Sequence, residues 1–269
     1  MHQIFFYIGD FPVRAYGLMI DLGIVGGVAL AWYLARKRGK NADDVLNASV
    51  YAVLGGLLGA RLWEVIFDWG YYSGHLAQIP AIWEGGLSVQ GGAAGGLLAV
   101  ILYTRVRRIP FWEFGDIMAP GLLLGQAVGR VGCYLNGCCY GVPTDSAWGV
   151  VFPHGTDAYT AYGAQSLLPV MLFEAAWDVA IMALLLYLFS RKPFHGFLVT
   201  LYFALYAVGR IAFEFYRTDS LIVWGLKAAQ ATSLATLLAA LTFMFILWRN
   251  SQSRPVSGLP EKKKKGNKA

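Results

Sequence analysis

Charge is scarce in this chain. Only 14% of its 269 residues are Asp, Glu, Lys or Arg, and 57% are hydrophobic. An average soluble domain is about 25% charged and about 45–50% apolar. The shortage excludes a disordered chain and argues against an ordinary soluble domain. Cysteine is scarcer still: three residues, Cys133, Cys138 and Cys139, all fall in one short stretch. That is too few for a disulfide framework, and the spacing lacks the two pairs of a zinc site. Histidine adds only His2, His75, His154 and His195. No internal repeat is evident. The first residues lack a basic leader, an apolar core and a small-residue cleavage site, so no cleavable signal peptide is expected.

Long apolar runs fill the space that charge leaves. A bilayer core about 30 Å thick takes about 20 apolar residues per helix. Runs of that kind predict an all-α, polytopic membrane protein with about seven spans. They are placed at 16–35, 45–67, 90–103, 117–135, 167–189, 197–215 and 226–248. Residues 136–166 carry Pro, Gly, Asp and aromatics without an apolar run, which predicts a small external arm. Residues 1–250 thus read as one transmembrane domain. Residues 251–269, polar and lysine-rich, read as a disordered basic cytoplasmic tail that touches anionic lipid headgroups.

The formal net charge is +6, from 22 basic and 16 acidic residues. Sixteen of the 22 lie in four clusters: Arg36–Lys40, Arg105–Arg108, Arg191–Lys192 and Arg249–Lys268. These follow the first, third, fifth and seventh spans, which is the signature of cytoplasmic loops. The excess therefore reads as topology rather than nucleic-acid binding, with the N-terminus outside and the C-terminus in the cytoplasm.

Six cations remain: Arg14, Arg61, Arg130, Arg210, Arg217 and Lys227. Arg14 and Lys227 sit at span ends, where long side chains reach the interface. An arginine inside a span costs at least about 2.5–3.5 kcal/mol on insertion scales, so it faces a partner or a cavity. Tyr206, Arg210, Glu214 and Arg217 share one helical face by their spacing. Two readings stay open: a self-neutralising salt-bridge ladder, or an anion site in which guanidiniums grip a phosphate through bidentate donors. With Arg130 and Arg61 the outer side gains a positive pocket, and the abundant anion there is a phospholipid headgroup.

Glycine carries a second signal. The run Gly85-Gly86-Leu87-Ser88-Val89-Gln90-Gly91-Gly92 continues to Gly95-Gly96. Close helix packing and amide binding of an anion at a helix start both explain it. The third signal, from Gly129-Arg130 through Gly132, Cys133, Asn136, Gly137, Cys138 and Cys139 to Gly141, reads as a helix ending at a site. The thiols are open to three roles: packing or a disulfide, a reactive nucleophile, or a metal site lacking a fourth ligand.

Together these segments resemble the phosphatidylglycerol–prolipoprotein diacylglyceryl transferases over residues 10–250. Tyr16-Gly17 resembles that family's first-span motif, and Gly59-Ala60-Arg61-Leu62 its second-span Gly-Arg-Leu. Trp83-Glu84-Gly85-Gly86-Leu87-Ser88 with Gly91-Gly92 resembles its Gly-Gly-x-Ser-x-His-Gly-Gly loop. Gly129-Arg130 with Asn136, Gly137 and Gly141 resembles its signature. Pro169 through Phe173-Glu174 and Gly209-Arg210 with Glu214, Arg217 and Asp219 match two further elements. The chain departs in having Gln90 at the loop histidine and cysteines within the signature.

The resemblance implies transfer of a diacylglyceryl group from phosphatidylglycerol to the lipobox cysteine of a precursor lipoprotein, with glycerol phosphate leaving. It implies residence in the bacterial cytoplasmic membrane. Arg130 and Arg210 are the expected phosphate clamp, with Tyr16 as a hydrogen-bond donor. Arg61, Glu214, Arg217, Tyr206, Asn136, Gly141, Gln90, Gly91 and Gly92 are the expected substrate-binding residues. No metal and no cofactor are expected. An amide is no base, so Gln90 leaves His154, Glu214 or the departing phosphate to take the thiol proton. Two competitors are a paralogue that uses another acceptor and a non-catalytic lipid-binding or transport protein, the latter weakened by the lack of an inverted repeat.

Overall fold

A computed structural model describes residues 4–9, 11–218, 222–223 and 226–253. The chain opens with an antiparallel ribbon, β1 (Ile4–Ile8) and β2 (Phe11–Arg14), which leads straight into α1 (Ala15–Lys37). Next come α2 (Asp43–Phe67), the short α3 (Trp69–Tyr72), α4 (Val89–Val106) and α5 (Phe111–Asn136). The arm between α5 and the next long helix contains β3 (Val150–Val151), α6 (Asp157–Tyr162) and β4 (Ser166–Leu167). Then follow α7 (Val170–Leu188), α8 (Phe197–Glu214), the ribbon β5 (Ile222–Val223) with β6 (Leu226–Lys227), and α9 (Ala228–Gln252). The expected tail falls almost wholly on residues 254–269, outside the described residues.

Among the described residues seven helices are thus long, as the apolar runs predict. Six of them are both long and apolar enough to cross a membrane. The exception is α5, whose 26 residues span about 39 Å at 1.5 Å per residue. It packs along α1 and α7 and touches α8 and α4, so it lies inside the bundle. Its first turns carry Glu113 and Asp116, which is why the sequence reading started this helix near residue 117, six residues late. Those acids are not facing lipid. Glu113 pairs with Lys40 at 2.8 Å. Asp116, fully buried, accepts from Lys192 Nζ at 2.7 Å and from the amides of Gly196, Leu198 and Val199 at 2.8–3.1 Å. It supplies the missing cap of α8 from a different helix, satisfying the donors that every helix start leaves open.

Two glycine seams hold the long helices close. Gly23 and Gly27 of α1 face Gly125 and Gly121 of α5; a Cβ on Gly27 would lie 2.5 Å from Gly121 O. Gly55 and Gly59 of α2 face Gly95 and Gly91 of α4; a Cβ on Gly91 would lie 2.3 Å from Gly59 O. Small residues four apart let backbones touch, and packing then replaces the hydrophobic drive that lipid removes. The pairings are antiparallel, so the two ends of the bundle differ. One end gathers Arg36–Lys40, Arg105–Arg108 and Lys192. The other carries the arm, Tyr16, the C-terminus of α5 and the C-terminus of α8.

Candidate active site

At the arm-bearing end, four elements converge on one carboxylate. Glu174, one turn into α7 and buried, receives Arg210 Nη1 at 2.7 Å and Arg130 Nη1 at 3.0 Å, with Arg217 Nη1 at 3.8 Å. Arg130 comes from the last turns of α5 and Arg210 from α8. Arg210 also pairs with Glu214 at 3.0 Å, one turn along its own helix. The i, i+4 reading therefore holds for that pair. The ladder stops there, because α8 ends at Glu214. Arg217 lies past the helix, in a β-bridge to Gly141, and its guanidinium turns to Glu174 and to the Cys139 thiol. Lys227 closes the end of α8, donating to Glu214 O at 2.6 Å and Arg217 O at 2.7 Å.

Small residues make the convergence possible. A Cβ on Gly209 would lie 2.2 Å from Trp177 Nε1, so only glycine lets Trp177 lie across α8 beside Arg210 and donate to Leu205 O. Gly132 admits Met19 and Tyr16 of α1 to the face of α5, and Tyr16 lies within electrostatic reach of Arg130. A Cβ on Gly141 would lie 2.8 Å from Tyr216 O and 2.9 Å from Leu168 O, so this glycine lets the arm run flush beside Arg217. A narrow cleft, with room for about one water molecule, lies at the cluster, lined by Arg130, Glu174, Trp177, Asp178, Tyr206 and Arg210 among others. The three guanidiniums face the carboxylates of Glu174 and Glu214, and Asp178 lines the same cleft, while Lys227 is spent on backbone carbonyls. Each guanidinium carries five N–H donors, so three of them around one shared carboxylate suit an added anion.

A second hollow lies on the α1 side of the same helix. It is a groove of about 330 Å³ lined by Ile20, Ile24, Val28, Val53, Leu122 and Gly129 among others, and it is almost wholly apolar. A Cβ on Gly129 would meet nothing within 4 Å. The residue next to Arg130 therefore borders an apolar trough between α1, α2 and α5.

Of the expected residues, the structure brings together Arg130, Arg210, Arg217, Glu214, Tyr206 and Tyr16. Gly141 supports Arg217 from behind. Asn136, the last residue of α5, lies beside the Cys138 thiol. Asp219 lies outside the described residues. Arg61 is committed elsewhere: its guanidinium donates to Ile79 O at 2.8 Å, Gly85 O at 2.8 Å, Gly86 O at 2.9 Å and Gln78 O. It lies 5.0 Å over the Tyr72 ring and pins the loop between α2 and α4. Gln90 is exposed and accepts from Ser88 Oγ at 2.9 Å. The amides of Gly91 and Gly92 are taken by Ser88 Oγ and Ser88 O, so this stretch serves the helix cap and the seam with α2 rather than an anion. His154 is exposed on the arm, its ring 3.8 Å from that of Tyr159.

Sequence reasoning noted Glu174 only within a motif and missed that it is the hub. Its partners come from three other segments, and nothing in local spacing reports that. Beside the cluster, the Cys139 thiol is held well below the ordinary thiol range, because Cys133 and Cys138 donate hydrogen bonds to it and Arg217 lies against it.

The sequence profile described as prolipoprotein diacylglyceryl transferase matches residues 3–246. This chain belongs to that family. Relatives named phosphatidylglycerol–prolipoprotein diacylglyceryl transferase cover nearly its whole length. One from Nostoc sp. is 37% identical over 93% of this chain and 89% of its own. One from Thermosynechococcus vestitus is 34% identical over 92% and 93%, and one from Clostridioides difficile is 34% identical over 87% and 90%. The family fits the bundle: a chain of membrane-crossing helices with an arginine-rich cleft and an apolar trough flanking one helix.

Proposed function

We propose that this chain transfers the diacylglyceryl group of phosphatidylglycerol to a cysteine thiol of a prolipoprotein. The observation that carries the reading is the convergence of Arg130, Arg210 and Arg217 on Glu174, next to an apolar groove on the other side of α5. The guanidiniums match a phosphodiester, and the groove matches acyl chains. The basic loops at the opposite end support a cleft on the external face, with the N-terminus outside and the C-terminus in the cytoplasm of a bacterial inner membrane.

In the reaction the thiol sulfur of the lipobox cysteine bonds to the glyceryl carbon of the lipid. The bond from that carbon to the phosphodiester oxygen breaks, and glycerol phosphate leaves. Charge grows on phosphate as the bond breaks, and preplaced donors stabilise it most where water is excluded. Arg130 and Arg210 supply that stabilisation, Glu174 and Glu214 fix their planes, and Tyr16 and Tyr206 donate hydrogen bonds at the rim. The thiol must lose its proton to become a nucleophile. His154 lies exposed on the arm beside Tyr159, Gln90 has no basic atom, and Glu174 and Glu214 are paired with guanidiniums. The departing phosphate takes the proton, leaving as the monoanion.

The test uses the purified chain in vesicles of phosphatidylglycerol with a lipobox peptide. The peptide should gain the mass of one diacylglyceryl group, and vesicles of phosphatidylethanolamine alone should give none. A full-activity Arg130→Ala variant would remove the clamp. Absence of transfer by the unaltered chain, with phosphatidylglycerol still bound, would point to another acceptor.

A further inference from the structure

The three cysteines are not used by the transfer chemistry, yet the fold assembles them. Their Sγ atoms all lie within 4.8 Å of one another. Three sulfurs around one ion at a metal–sulfur distance of about 2.3 Å stand about 3.8–4.0 Å apart. No pair of thiols thus needs to close by more than about 1 Å. We propose that Cys133, Cys138 and Cys139 form a binding site for one thiophilic d10 metal ion of the Zn2+ kind, beside the arginine cluster. The sequence reading expected no metal because the Cys-x4-Cys-Cys spacing lacks two separated pairs.

The turn at the end of α5 explains how the spacing works. Gly137 takes the left-handed conformation, φ 72° and ψ 33°. The Gly137 amide donates to Tyr134 O at 3.2 Å and the Cys138 amide to Cys133 O at 3.2 Å. This is the Schellman closure of a helix, which normally folds an apolar residue back over the last turn. Here it folds one thiol over another. Cys139 then adopts φ +62°. Among the described residues only Arg108 shares such a conformation without being glycine. Side chains with a Cβ avoid it unless the surroundings demand it. It aims the third sulfur back at the other two.

The surroundings match a bound thiolate set. Cys133 is buried with Phe152, Tyr140, Leu167 and Met171, and the arm covers it. Three thiolates and one divalent cation carry a net single negative charge. Arg217 is hydrogen-bonded to Cys139, and Arg130 lies within electrostatic reach of Cys133 and Cys139. Soft sulfur donors select Zn2+ and Cu+ over hard cations. A disulfide would consume two sulfurs and give no reason for the left-handed backbone at the third. An ion here would tie the end of α5 to the arm and, through Cys139, hold Arg217 against Glu174.

The full chain, purified under reducing conditions without chelator, is assayed for metal content by mass spectrometry and then titrated with Cd2+. One metal ion per chain and an ultraviolet sulfur-to-cadmium charge-transfer band saturating at one equivalent are expected. Cys133→Ser, Cys138→Ser and Cys139→Ser should each weaken Cd2+ binding at least about tenfold. Cys138→His, which restores a ligand at the half-buried position, should recover binding and guards against misfolding of the serine variants. No charge-transfer band beyond that of a chain with all three cysteines changed to serine would overturn the site. So would a disulfide between two of them in protein never exposed to reductant and devoid of metal. Neither readout depends on lipid transfer, so failure of the transferase reading leaves this test intact.

Discussion

Asp116 and Glu174 are both buried carboxylates on long helices, at opposite ends of the bundle, and each is surrounded by donors. Around Asp116 the donors are one lysine and three backbone amides. Charge is balanced one to one, and the acid finishes a helix. Around Glu174 the donors are three guanidiniums from three segments. Three cations share this one carboxylate, which holds in place groups that would otherwise repel one another. A buried ion that is fully matched belongs to the architecture. One that gathers surplus charge of the other sign prepares a place for a further anion.

That contrast can be broken experimentally. The largest effect should come from Arg130→Ala, which removes a clamp donor: transfer should fall by about 10²–10³ in turnover, with helical content unchanged by circular dichroism. Next, Asp116→Ala strips Lys192 and the α8 amides of their partner and should cost about 3–5 kcal/mol of stability. In a denaturant titration the midpoint should drop while the turnover of the surviving fraction stays near that of the parent. If Asp116→Ala instead abolished turnover without loss of stability, the division between the two ends would be wrong. Gly91→Val forces a side chain into Gly59 O and should destabilise by about 1–3 kcal/mol, as overpacking does. Its effect should appear in thermal stability more than in the Michaelis constant for lipid. The smallest change is expected for Gln90→Ala, which alters an exposed amide bonded to Ser88 Oγ. Transfer rates should change less than about twofold, since surface substitutions stay within about 0.5 kcal/mol.

The helices were legible because hydropathy writes them into the sequence. The start of α5 was not, because Glu113 and Asp116 interrupt the apolar run, and their partners Lys40, Lys192 and the α8 amides come from distant segments. The Arg210–Glu214 pair was legible from helical periodicity. Arg217 was placed on the same face by the same rule, but the helix ends before it, and the chain carries it to Glu174 from another direction. Arg130 stood out as an arginine inside an apolar span. Arg61 stood out for the same reason and proved to be a different thing, since an unsatisfied cation and a cation meeting backbone oxygens look alike in one dimension. The glycine run allowed packing and anion binding equally until the facing glycines of α2 were seen.

The cage around Arg61 has a consequence for how residues of this family are ranked by mutagenesis. The stretch between α2 and α4 is a series of short turns, and one side chain gathers its carbonyls at 78, 79, 85 and 86. A lysine there has only three donors and no planar fork, so even that mild exchange would release several strands of the wrapping at once. Loss of turnover after such a change would measure the tension of a guy rope, and says nothing about who touches the lipid.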